Sequence, residues 1–144
     1  MGLDMYLNAK RFMWFNEDYL KKEVSSVFGL PRGIQVKEVS AEAAYWRKAN
    51  AIHSWFVKEV QSGVDECESH EVSRVQLFKL IEACLMVKEH PPLAPALLPT
   101  KSGFCFGDTE YNEWYFECID KTIVMLERAL TLPESWVFEY RSSW

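Results

Sequence analysis

Residues 40–63 read SAEAAYWRKANAIHSWFVKEVQSG, and the fold turns on how that stretch is read. Tyr45, Ala49, Ile52, Phe56 and Val60 recur at helical spacing and would line one apolar stripe. Ser40 suits an N-cap, Glu42 favours the positive end of the helix dipole, and Gly63 suits the exit. The spacing therefore predicts one long helix from Ser40 to the Gly63 turn. One step around it stand Trp46, Asn50, His53 and Val57, with Arg47 and Ser54 further out. A core accounts for the stripe. The neighbouring polar band asks for a buried network, a ligand or a partner.

The chain around this helix has 144 residues, enough for a single domain (1–144) with its own core. Hydrophobic residues make up 49% and charged residues 26%, as in water-soluble globular proteins. Aromatics reach 15%, with six Trp, which suits either a core stiffened by large rings or an aromatic binding face. A net charge of −5 argues against sequence-specific nucleic-acid binding, which normally needs a basic surface. The four cysteines, Cys67, Cys84, Cys105 and Cys118, form no CxxC pair. Cys84 and Cys118 fall in apolar helical patterns and read as reduced core residues. No leader-like or membrane-length apolar run appears, so the expectation is a cytoplasmic protein without membrane contact.

Taken in order, residues 2–12 alternate Leu3, Met5 and Leu7 against Asp4, Tyr6 and Asn8, which predicts a strand with one face in the core. Leu20, Val24 and Val27 predict a short helix over 16–28, ended by Gly29 and Pro31. Ile34 and Val36 give a brief extended piece. Asp65, Glu66, Cys67, Glu68, His70 and Glu71 crowd together after Gly63, but they read as a solvated acidic loop rather than a metal site; no metal and no cofactor is expected. A short strand fits 69–72. Ser73 and Gln76 form a capping box that opens a second long helix, with Leu77, Leu80, Ile81, Cys84 and Leu85 inward. His90-Pro91-Pro92 stops it.

Residues 91–107 hold four of the six prolines and predict an irregular segment lying across the core on Ala94, Leu97 and Leu98. Thr100, Lys101, Ser102 and Gly103 follow, without the order of a phosphate-binding P-loop. A third long helix fits 109–132, with Tyr115, Ile119, Ile123, Leu126 and Leu130 inward. Residues 136–144 alternate as a final strand expected to pair with the first. The predicted fold is α+β: a single compact domain with a small, mostly antiparallel sheet packed by three long helices.

Three segments carry a resemblance. GLDMYL at 2–7, YWRKANAIHSWF at 45–56 with GVDEC at 63–67, and LLPTKSGFCFGDTEYNEWY at 97–115 resemble a family of small proteins encoded by tailed phages and prophages. The resemblance implies a viral origin and no particular activity. Its marked residues here are Asp4, Tyr6, Arg47, Lys48, Asn50, His53, Trp55, Asp65, Cys67, Thr100, Ser102 and Gly103. Where the family carries a more acidic or aromatic loop after GVDEC, this chain has Glu68-Ser69-His70.

Two functions follow as expectations. The first is a phage-encoded protein that binds and inhibits a host protein, for example a component of a defence system, in the host cytoplasm. The second is a small enzyme or binder of an anionic ligand or nucleotide, with a polar pocket beside the central helix. Its candidate residues are Asp4, Tyr6, Arg47, Asn50, His53, Asp65, Cys67, Thr100, Ser102 and Gly103. Arg47 would hold an anion, and His53 would act as base or acid, oriented by Asp4 or Asp65 or paired with Cys67. The simpler reading of His53 is a satisfied, half-buried histidine. A homodimer face at Trp14 and Trp144 stays open.

Overall fold

The computed structural model describes residues 2–14 and 16–144. Four strands and five helices follow in the order β1 (Asp4–Phe12), α1 (Asp18–Val27), β2 (Glu38–Arg47), α2 (Asn50–Glu59), β3 (His70–Val72), α3 (Arg74–Glu89), α4 (Ala94–Leu97), α5 (Glu113–Ala129) and β4 (Val137–Ser143). A 3-10 turn, Pro91–Leu93, leads into the single turn of α4. The strands form one antiparallel sheet in the order β2-β1-β4-β3. The α+β class and the pairing of first and last strands follow the sequence expectation.

The central expectation needs a correction. Residues 40–47 are not helix but the last eight residues of β2, which pairs along β1 from Asp4 opposite Arg47 to Phe12 opposite Glu38. Ala44 and Trp46 turn into the core while Tyr45 and Arg47 turn out. This period-2 pattern competes with the helical stripe in the same letters, and pairing with a buried neighbour decides between them. Ala43 has no opposite number on β1, so the strand carries a bulge there. Lys48 then takes a left-handed backbone, φ 55°, which ends the strand and starts α2 two residues later. The Gly63 turn is as expected, with φ 81° and its amide bonded to the Val57 carbonyl at 2.8 Å.

Two helices are long rather than three. α3 opens with the predicted capping box of Ser73 and Gln76, and buries Leu77, Leu80, Ile81, Cys84 and Val87; Leu85 is exposed. α5 starts later than the sequence suggests. Asn112 is its N-cap, accepting from the Tyr115 amide, and Asp108 holds the Asn112 amide group at 2.7 Å. Tyr115, Ile119, Ile123 and Leu126 face inward as predicted, joined by Cys118, Thr122 and Ala129.

Leu3, just before β1, and Met5, Leu7 and Ala9 of β1 join Phe138 and Tyr140 of β4 in the core on one face of the sheet. α2 lies on that face. The Phe56 ring stacks on Tyr140 with centroids 3.9 Å apart, and Trp46 donates its indole N–H to Thr122 at 2.9 Å. Ala94 and Leu98 carry the proline-rich segment onto the same core, as predicted. The opposite sheet face holds Asp4, Tyr6, Asn8 and Lys10, all half-buried.

α1 stands apart. Its predicted apolar side does not face a core: Val27 is 81% exposed, Leu20 and Val24 are half-buried, and Lys21 and Ser25 are the buried positions. Among the described residues it makes no extensive contact with another helix or strand. The Ser25 hydroxyl accepts from the Val36 amide, and Arg11 pairs with Glu17 at the base of the segment. The described residues of 13–37 thus form an arm inserted between β1 and β2.

Candidate functional site

The polar band predicted beside the central helix does exist, but it lies inside the protein. His53 is completely buried on α2. Its Nδ1 is 2.7 Å from the Tyr140 hydroxyl on β4, and its Nε2 is 3.0 Å from Asp65 on the loop after α2. An ionised Asp65 only accepts, so Nε2 carries the proton and Nδ1 accepts from Tyr140. Burial lowers the His53 pKa more strongly than Asp65 raises it, which keeps the ring neutral. Burial also holds the Tyr140 hydroxyl far above the usual phenol value, so it stays a donor. Asp65 is the one member with some access to solvent, and Lys101 reaches it at 3.9 Å. The edge of the Phe106 ring closes over the imidazole, 5.3 Å between centroids.

Asn50, 3% exposed, holds the long loop. Its amide nitrogen donates to the carbonyls of Phe106 and Asp108, at 3.1 and 2.8 Å, and its oxygen accepts from the Lys101 amide at 3.0 Å. Thr100 adds a bond to the Thr109 carbonyl at 2.8 Å, and Tyr115 donates to the Leu98 carbonyl at 2.8 Å. Gly103 has a steric role: a Cβ there would lie 2.5 Å from the Phe106 ring. These residues close the loop on α2 and seal His53.

The structure thus brings together Asn50, His53, Asp65, Thr100 and Gly103, as parts of a satisfied internal clasp. The remaining candidates lie elsewhere. Asp4 and Tyr6 sit on the outer sheet face, where Asp4 accepts from the Tyr45 hydroxyl at 2.5 Å and the Tyr6 and Tyr45 rings pack at 5.3 Å. Arg47 and Ser102 are exposed. Cys67 is exposed on its loop, where its carbonyl accepts from Arg141. Both His53 nitrogens are already engaged by Tyr140 and Asp65, so the geometry offers no Cys67–His53 pair. Glu66 pairs with His70, the first residue of β3, at 2.8 Å.

Cys84 and Cys118 are buried free thiols, their pKa values pushed up by burial to about 12 and about 11. Among the described residues no three His, Cys, Asp or Glu side chains cluster to hold a metal, and no helix is long and apolar enough to cross a membrane.

Sequence reasoning passed over Tyr140, taken only as an alternating strand residue. The signal was present: a Tyr on the core face of a strand must find a partner for its hydroxyl. It also passed over a cleft between β2 and α5. Tyr45, Trp46, Arg47, Ala49, Trp114, Cys118, Lys121 and Met125 line about 230 Å³ there. No protein-family model matches the chain, and neither a curated protein nor a solved structure is significantly similar to it.

Proposed function

We propose that this is a small binding protein rather than an enzyme, and that its arm, residues 13–37, engages a partner protein. The phage resemblance makes that partner a host protein in the cytoplasm of the infected cell, a defence component being the kind whose inhibition would benefit a phage.

The observation that carries this reading is the exposure of large apolar side chains on the arm. Trp14 is 66% exposed, Tyr19 74%, Val27 81%, Phe28 72% and Ile34 55%. Monomeric proteins rarely leave so many large apolar groups on one small element unless a partner covers them. At the arm's base, Phe12, Met13, Trp14 and Val36 line a cleft of about 520 Å³, wide enough for a partner's side chains. The arm carries Lys21, Lys22, Arg32 and Lys37 against Glu17, Asp18 and Glu23, so it is slightly basic on an acidic protein. Catalysis has less support, because His53, the best general base, is sealed and already bonded at both nitrogens.

A paired pull-down from host lysate tests the reading. Wild type and Arg47→Ala should retain the same stoichiometric partner, and Trp14→Asp/Phe28→Asp should lose it while melting normally. Adding wild type should then lower that partner's activity. A double variant that keeps both partner and biological effect would refute the assignment to the arm. A wild-type dimer that the double variant abolishes would move the reading to self-association.

A further inference from the structure

The cleft between β2 and α5 pairs aromatic walls with cationic side chains. Its walls are Tyr45 on β2 and Trp114 in the first turn of α5, both partly exposed. Trp46, Ala49, Cys118 and Met125 complete the lining. Among the described residues, Arg47 and Lys121 are its only charged lining residues, both cationic, although the chain carries a net charge of −5. Lys121 Nζ stands 5.3 Å above the Trp114 ring. Its nearest carboxylate is Glu117 at 3.8 Å, a loose and exposed pair.

Arg47 has no hydrogen-bonded or ion-paired partner among the described residues. Asp4 lies directly across the strand pair from it, yet Asp4 is bound by the Tyr45 hydroxyl at 2.5 Å and makes no ion pair with Arg47. Lys48 compounds the imbalance. Successive strand side chains normally point to opposite faces. The left-handed backbone at Lys48 ends that alternation. A Cβ on Gly2 would lie 3.3 Å from Lys48 Cε and 3.7 Å from Arg47 Nη2, so both side chains converge on that glycine. Gly107 makes room from another side, with Lys48 Cβ 3.1 Å from where its own Cβ would be. A residue with a left-handed backbone is therefore seated between two glycines near Arg47, and the carboxylate across the strand pair, Asp4, is engaged by Tyr45 rather than by either cation. Like charges so arranged repel, and an anion between them would relieve the repulsion.

We propose that this cleft is a binding site for a small planar aromatic anion. The ring lies between Trp114 and Tyr45, and its phosphate or carboxylate is held by Arg47 and Lys121, with Lys48 at the margin. About 230 Å³ is below the range of roughly 300–1,000 Å³ that encloses drug-sized ligands, which limits the buried part to a single ring system. Arg47 suits the anionic end because its fork binds oxyanions in two-point fashion. The site is separate from the arm and does not depend on it.

Isothermal titration of the intact protein with adenosine 5′-monophosphate, adenosine, inorganic phosphate and benzoate tests this. The monophosphate, benzoate or both should saturate one site, and which of them binds identifies the anion as phosphate or carboxylate. Adenosine and phosphate alone should bind about tenfold more weakly or less, since each supplies only half of the contacts. Arg47→Ala, Lys121→Ala and Trp114→Ala should each weaken binding by about tenfold or more, as expected for loss of one charge-assisted bond or one stacking wall. All three positions are exposed or partly so, and the variants should keep the wild-type melting curve. The proposal fails if neither ring-bearing anion binds below about 1 mM, weaker than which a specific site has little meaning. It also fails if the three variants leave affinity unchanged, or if Trp14→Asp/Phe28→Asp removes the binding.

Discussion

The α2 neighbourhood and the arm invert each other. Around α2, the side chains that look like a surface site, Asn50, His53 and Asp65, turn inward and bond to one another's surroundings. On the arm, the side chains that look like a core, Val27 and Phe28 with Tyr19, stand in solvent. Polar residues gathered from distant segments close the long loop on α2, and large apolar residues of one continuous segment stand exposed. A patch of mixed polar residues in a sequence is thus as good a sign of a structural clasp as of an active site.

The largest test of the contrast is at His53. His53→Ala should cost about 3 kcal/mol or more in chemical denaturation, because it opens a cavity and strands the buried Tyr140 hydroxyl. Little loss would mean that the clasp is not structural. Asn50→Ala should come next, at about 2–3 kcal/mol, since it releases two carbonyls and one amide of the loop together. Its effect should also appear as faster proteolysis within residues 98–108.

Tyr140→Phe is gentler: it keeps the stacked ring and leaves His53 Nδ1 without a donor, at about 1–2 kcal/mol. Acid probes the same bond. Burial lowers the His53 pKa below the unfolded value of 6.5, so on acidification the unfolded chain takes up the proton first. Stability from this group is complete above about 6.5 and declines as the pH falls below it, with no loss on the alkaline side. His53→Gln, which can still donate to Asp65, should be less stable at neutral pH yet flatter between pH 6.5 and 5, a span where few carboxylates titrate. An equal slope in both proteins would remove His53 from the account. The smallest effect belongs to the arm: Phe28→Asp should change stability by less than about 0.5 kcal/mol, because the ring is already in solvent.

Much of this architecture was legible beforehand. The strand alternation at Leu3, Met5 and Leu7, the Ser73–Gln76 box and the inward side of α5 are local patterns, and local patterns survive folding. The 40–47 segment was not legible, because Ala44 and Trp46 fit both periods and only the presence of β1 decides. Deciding which face of α1 is covered requires knowing that Lys21 and Ser25, not Val27, are its buried positions. For the site, Asn50, His53 and Asp65 could be singled out from residue type. Their direction could not, since it depends on Phe106 and Tyr140, which reach α2 from 53 residues or more along the chain. The cleft escaped notice because its two walls, Tyr45 and Trp114, meet only when β2 is a strand.

Amide hydrogen exchange on the wild-type protein weighs the two regions in one experiment. The account predicts that amides of α2 and the Lys101 amide bonded to Asn50 exchange slowly, near the global unfolding rate, while those of α1 exchange orders of magnitude faster. Protection in α1 equal to that in α2 would contradict it, since the arm would then be part of the core that it has been set against.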